Sequence, residues 1–286
     1  MGRTLALILV LLLITGCGQE TADKVDGEVN KIKDKFNGTE ENSTNTTEIV
    51  IPDYVPDKLR IGSFDIDGYS NDNNKPAMLN AYRNLIFDYD IIAIQNYKGD
   101  RELLYDLVYN LDMEFEERDI KDESMVFIYN KHYLHWKARR IYENNKFFRN
   151  PFGMNFEILG TNISFTIVQV HLNPTDATEE IKALEEVFEY FIKEFDNENI
   201  IIMGNMYAGC YYYNTQELEE YLWLIDEDTL TTSEECAYDR IITPEHMRAD
   251  IADYGVHNYI RENDIDNDLK KVLSTHYPVY LLLSIN

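Results

Sequence analysis

Five short apolar runs each meet a polar or ionisable residue at one end, and that repeated junction constrains the fold more than any other feature of this 286-residue chain. Leu59 to Ile66 carries Gly62-Ser63-Phe64-Asp65-Ile66, and Ile91 to Gln95 gives way to Asn96. Ile163 to His171 closes on Val168-Gln169-Val170-His171, and Ile200 to Met203 leads into Gly204-Asn205-Met206-Tyr207. Val279 to Ile285 follows Ser274-Thr275-His276-Tyr277-Pro278. Apolar runs this short read as buried strands. The junctions mark where strand gives way to loop, which is where α/β folds carry their chemistry.

Helical spacing fills the gaps. Lys75 to Asp88 has Pro76 near its start and apolar residues at Met78, Leu79, Tyr82, Leu85 and Ile86. Arg101 to Leu111 repeats the pattern, and Ala177 to Phe195, introduced by Pro174, Thr175 and Asp176, is the clearest helix. A further helix is predicted around Leu218 to Leu222. Met125 to Tyr129, Leu134 to Tyr142 and Phe152 to Leu159 read as additional strands. Strand–helix units separated by hairpin-like runs predict two packed sheets with helices outside. No internal repeat is visible.

The N-terminus reads as an export signal. Arg3 precedes an apolar run from Leu5 to Ile14, and Ile14-Thr15-Gly16-Cys17 fits a lipoprotein cleavage site, with residues 1–16 removed and Cys17 lipidated. The alternative is an uncleaved apolar terminus. Residues 17–57 are expected to be a disordered polar tether reaching about 35 Å. The tract carries glycosylation sequons at Asn37, Asn42 and Asn45. The predicted location is therefore extracytoplasmic, on a membrane through the lipid anchor, with a single large domain over 58–286. Without Cys17, Cys210 and Cys236 remain, an even pair that predicts a disulfide in an exported domain; two free buried thiols are the alternative. Acidic residues outnumber basic ones 52 to 26, for a formal charge of −26, and no Lys/Arg run stands out, so the chain is a poor host for a polyanion.

Phosphodiester hydrolysis needs a base, an acid and positive charge on the phosphoryl oxygens. His171 and His276 could be base and acid, each with a carboxylate to support it, although a lone histidine is more often structural. Taken together with Cys236-Ala237-Tyr238-Asp239-Arg240-Ile241, the junctions resemble pancreatic-type deoxyribonuclease and the wider endonuclease/exonuclease/phosphatase superfamily along all of 58–286. The resemblance implies a four-layer α/β sandwich, two packed mixed β-sheets flanked by helices, and it places Cys210 and Cys236 at the family's disulfide. It implies that His171 pairs with Glu123 (Asp122 if the alignment slips by one), that His276 pairs with Asp239, and that Arg149 contacts substrate.

The same resemblance implies a damaged metal site. Asn96 stands where the family has its principal metal-binding glutamate. Asn205 and Tyr207 replace the aspartate and asparagine of Gly-Asp-Phe-Asn, Thr275 replaces the aspartate before the final histidine, and Asp65 replaces an asparagine. Hard cations are held by carboxylate charge, so these exchanges should weaken Mg²⁺ or Ca²⁺ binding severely. The expectation is a degenerate nuclease with no cofactor, serving as a binding module for an unknown protein or ligand, with nucleic acid disfavoured by charge. The alternative is an active phosphodiesterase with Mg²⁺ or Ca²⁺ at a shifted site built on Asp65, Asp67 or Asp72. A phospholipid headgroup or sugar phosphate is a third substrate class. Tyr211-Tyr212-Tyr213 is either a contact surface or ordinary packing.

Overall fold

The computed structural model describes residues 52, 54–210, 212, 217–233, 236–263 and 265–285. The export signal, Cys17, the three sequons, Tyr211 and Tyr213 lie outside the described residues, as does most of the tether. Among the described residues, no helix is long and apolar enough to cross a membrane.

The chain runs β1 (Lys58–Asp65), α1 (Pro76–Phe87), β2 (Ile91–Tyr97), α2 (Arg101–Val108), β3 (Met113–Ile120), β4 (Glu123–Asn130), β5 (Leu134–Ile141) and β6 (Phe152–Ile158). It continues with β7 (Ser164–His171), α3 (Ala177–Lys182), α4 (Leu184–Phe195), β8 (Ile200–Asn205), β9 (Tyr221–Trp223) and β10 (Asp239–Pro244). After a 3₁₀ turn at Glu245–Ala249 come β11 (Ile251–Val256), α5 (Tyr259–Glu262), α6 (Asn267–Lys270) and β12 (Val279–Ser284).

Twelve strands form two six-stranded sheets, ordered β11-β12-β1-β2-β4-β3 and β5-β6-β7-β8-β10-β9. Each sheet holds one parallel pair near its centre, β1 with β2 and β7 with β8, and the other pairings are antiparallel. Both sheets are therefore mixed. One apolar cluster, with Ile61, Phe127, Phe156, Ile167 and Leu281, fills the space between them. A second packs α1 and α2 onto the first sheet through Tyr82, Leu85, Leu104 and Leu107. A third packs α3 and α4 onto the second through Ile181, Leu184, Phe188 and Phe191. Helix, sheet, sheet, helix is the expected four-layer α/β sandwich.

Two helix expectations need correction. The run from Ala177 to Phe195 is two helices that meet at Ala183. The predicted helix around Leu218 to Leu222 is absent. Leu218 has φ +60°, a left-handed backbone that ends helical propagation, and Leu222 lies in β9 opposite Thr243 of β10. Tyr221 is held there by stacking on Phe188, with ring centroids 4.2 Å apart.

Cys210, after β8, and Cys236, before β10, form a disulfide with a Cα–Cα distance of 5.8 Å. Closing a loop of this length constrains the unfolded chain by about 3.5 kcal/mol on the chain-entropy account. Such bonds belong to oxidising, extracytoplasmic environments.

Candidate active site

The ends of β1, β2, β7, β8 and β10 converge because the central strands of the two sheets face one another, and each delivers one polar side chain. Gly204, at the end of β8, allows the close approach. Its φ is +148°, and a Cβ there would lie 1.8 Å from the Val170 carbonyl oxygen of the neighbouring strand, so no other residue fits without moving the backbone.

Both predicted histidine pairs form. His171 Nδ1 lies 2.6 Å from Glu123 Oε2, and His276 Nδ1 lies 2.8 Å from Asp239 Oδ2. Of the two carboxylates weighed for His171, Glu123 is the partner. Its side chain is fully buried and also accepts the Asn96 backbone N–H at 3.0 Å. Asp122 is half-exposed and pairs with Arg149 instead. Asp239 Oδ2 further accepts from the Thr231 hydroxyl at 2.9 Å. Thr231 lies in no run that the sequence marks. Ser274, quoted within the final junction without a role, donates its hydroxyl to the Asp65 carbonyl at 2.6 Å and accepts the His276 N–H.

Arg149 sits beside this cluster with its guanidinium committed. Its Nε lies 3.0 Å from both Asp122 Oδ1 and Glu123 Oε2, and its side chain is 13% exposed. Here it holds Glu123 in place beneath His171.

Asp65 occupies the centre. Its Oδ2 lies 3.7 Å from His171 Nε2 and 3.9 Å from His276 Nε2, so both imidazoles aim their outer nitrogens at one carboxylate oxygen. The same oxygen accepts from Asn205 Nδ2 at 2.8 Å, while Oδ1 accepts from Asn96 Nδ2 at 3.1 Å and from the Asp67 N–H at 2.9 Å. Asn205 Oδ1 accepts the Tyr207 N–H at 3.2 Å, which turns the amide so that its NH₂ faces Asp65. Asn96 and Tyr207 both take left-handed backbone, at φ +59° and +49°. Tyr207 lays its ring over His171, with centroids 6.2 Å apart and planes 21° from parallel, and meets Tyr212 and Tyr238 on its other sides. Thr275 is exposed and reaches Asp67 Oδ2 at 3.4 Å, and Asp72 is exposed in the turn after β1.

These contacts set the charges. Burial opposes ionisation of Asp65, yet His276, His171, the Asn205 amide and the Asp67 N–H together hold its pKa below the ordinary 3.8. Burial likewise opposes a charged His276, but Asp239 and Asp65 outweigh it and push the imidazole up to about 10. His276 is therefore a fixed imidazolium at neutral pH, far from the value near 7 that suits proton transfer. Tyr207, raised to about 12 by burial and by Asp65, stays a neutral phenol.

The residues present do not fit a hard divalent cation. Mg²⁺ and Ca²⁺ are held by oxygen ligands with at least one or two free carboxylates among them, whereas the carboxylate at this centre already receives two amide groups and a backbone N–H. Among the described residues, no group of three or more His, Cys, Asp or Glu side chains is placed to hold a metal. The polarity is inverted: donors surround an anion where acceptors would surround a cation.

No protein-family model matches the chain. It is 27% identical to deoxyribonuclease-1 of Gallus gallus over 259 residues, which cover 79% of this chain and 92% of that protein. It is 28% identical to deoxyribonuclease-1 of Mus musculus over 261 residues, covering 79% and 91%. Among solved structures, the mannosyl-6-phosphatase of Bacteroides thetaiotaomicron superposes with TM-score 0.60 at 13% identity, over 79% of this chain and 99% of that one. An endonuclease/exonuclease/phosphatase family protein of the same organism gives TM-score 0.56 at 13% identity, covering 82% and 100%.

Proposed function

The domain is deoxyribonuclease-like, with the endonuclease/exonuclease/phosphatase fold, and we propose that it has lost metal-dependent hydrolysis and acts as a binding module. One observation carries this reading: the Asp65 carboxylate is enclosed by the Asn96 and Asn205 amides. A catalytic dication polarises the phosphoryl group and generates the nucleophile. In this chain the side chains that would grip it instead donate hydrogen bonds to an aspartate. The Asp65 charge also lies between the two histidine Nε2 atoms, where it repels a phosphate oxygen.

The module is proposed to sit outside the cytoplasm as a lipoprotein anchored through Cys17. The sequence of the first seventeen residues supports the anchor, and the disulfide supports an oxidising location.

A second reading is kept alive by the histidine pairs, since both Nδ1–carboxylate bonds are short and both Nε2 atoms converge. On that reading the domain is a phosphodiesterase with a shifted metal site that uses Asp65, Asp67 or Asp72 with the two histidine–carboxylate pairs. Incubating the purified chain with plasmid DNA and with a simple phosphodiester, in Mg²⁺, Mn²⁺ or Ca²⁺, separates the two. No cleavage is expected. Turnover that His171→Ala abolishes would reject the binding-module reading.

A further inference from the structure

On one side of the sandwich the two sheets end in β3 and β5, each the outermost strand of its sheet. An Arg139–Glu116 ion pair ties these edges together. Beside it, Arg118 of β3 and Arg139 and Arg140 of β5 line a cleft of about 260 Å³ with Ile141, Glu143 and Phe152. Three arginines therefore gather at the cleft, with Glu143 in its lining and Glu116 and Glu194 paired to Arg139 and Arg140, in a chain whose acidic residues outnumber its basic ones 52 to 26.

The three arginines differ in how firmly they are held. Arg139 is 28% exposed by its side chain, bonded to Glu116 and lying over the Trp136 ring at 5.3 Å, so its position is fixed. Arg140 donates to the Arg139 carbonyl at 2.8 Å and forms a loose ion pair with Glu194, Nε to carboxylate 3.6 Å, leaving other guanidinium N–H groups free to donate. Arg118 is exposed, and among the described residues its side chain has no hydrogen bond or ion pair. One anchored guanidinium and two with donors to spare make a fork suited to an oxyanion.

We propose that this cleft binds a phosphate or sulfate group, giving the acidic domain an attachment point for an anionic ligand. Elsewhere the surface charge repels such a ligand; here guanidinium donors can meet its oxygens directly. The cleft lies toward the end of the sheets that carries the histidine cluster. Arg118 pairs in register with Met125, two residues beyond Glu123, and Ile141 pairs with Phe152, three residues beyond Arg149. The inference goes beyond the binding-module reading and stands whether or not the histidine cluster hydrolyses anything.

The test uses the full chain, produced without lipid on Cys17 so that no anchor contributes to vesicle binding, in EDTA so that metal-dependent chemistry plays no part. Sodium pyrophosphate is titrated calorimetrically, and co-sedimentation with phosphatidylglycerol vesicles is measured in parallel. Both are repeated on Arg118→Ala/Arg140→Ala and on a control, Arg248→Ala, an exposed arginine paired with Glu245 elsewhere on the surface. Saturable pyrophosphate binding is expected, weakened roughly tenfold or more in the double variant and unchanged in the control. A parallel loss of vesicle binding would identify the group as a lipid headgroup; loss of pyrophosphate binding alone would identify a soluble phosphate compound. Equal binding by native chain and double variant in both assays, or no saturable binding in either, overturns the proposal. Urea unfolding of each variant checks that the fold is intact, since Arg118 and Arg140 are surface residues whose removal should leave the unfolding midpoint essentially unchanged.

Discussion

The histidine side of the cluster and the strand-end amide side meet at Asp65, yet they are built on different principles. On the histidine side, Glu123 and Asp239 each grip an imidazole through Nδ1, and Arg149 and Thr231 grip the carboxylates in turn. That is a chain of imidazoles and carboxylates, each held by a further donor. On the other side, Asn96 and Asn205 are neutral, and their whole contribution is to satisfy one buried anion. The contrast teaches why the histidine side is the harder one to change: buried ion pairs cannot be dismantled one member at a time without leaving a bare charge.

Breaking that contrast should be most costly on the charged side. Asp239→Ala leaves the His276 imidazolium short of its main partner and should destabilise the fold by roughly 3–5 kcal/mol in urea unfolding. Asn205→Ala, which removes one donor from Asp65, should cost about 1–3 kcal/mol. Equal losses would show that the two sides do not differ as described.

The pH dependence sharpens the same point. The His276 pKa rises on folding, from an ordinary 6.5 to about 10. Its stabilisation is therefore full below about pH 6.5 and is lost as pH climbs toward 10, on the order of 5 kcal/mol in total. Asp65 has the opposite sign: its lowered pKa stabilises above the usual 3.8 and is lost as pH falls below it. Unfolding free energy measured from pH 6 to 10 should decline in the native chain and decline much less in His276→Gln.

Converting the amide side back to acids should create the missing cation site. Asn96→Glu, Asn205→Asp and Thr275→Asp together should lower stability in EDTA, because the new carboxylates crowd Asp65. Mg²⁺ at a hundred times its dissociation constant should then restore about 2.7 kcal/mol, while the native chain stays indifferent to Mg²⁺. A triple variant with no response to Mg²⁺ would mean that these positions do not converge on one ion. The smallest effect is expected at the rim, where Thr275→Val removes only an exposed 3.4 Å contact to Asp67 and should change stability by under about 0.5 kcal/mol.

The central strands were legible in the sequence because they are apolar throughout, and the helices because Tyr82, Leu85, Leu104 and Phe188 recur at helical spacing. The edges were not. β3 reads Met-Glu-Phe-Glu-Glu-Arg-Asp-Ile, where four acidic residues mask the alternation. β9 is three residues long and was read as helix, because its extended form depends on pairing with β10 and on Phe188. The same masking hid the cleft of Arg118, Arg139 and Arg140, since Arg118 lies twenty-odd residues from the other two in sequence and meets them only where the two edges do. In the site, the histidine partners followed from a resemblance in residue order. The turning of Asn96 and Asn205 toward Asp65 depends on distances across three strands, which no linear pattern encodes.

Gly204 carries a consequence for how such chains are recognised. The carbonyl of Val170 forbids any side chain at that position, so the glycine serves the backbone and not the chemistry of the residues beside it. A search pattern that scores this glycine as a sign of nuclease activity is therefore rewarding architecture. The chemistry at this strand end is carried by its downstream companions, here Asn205, which donates to Asp65, and Tyr207, which lies against His171.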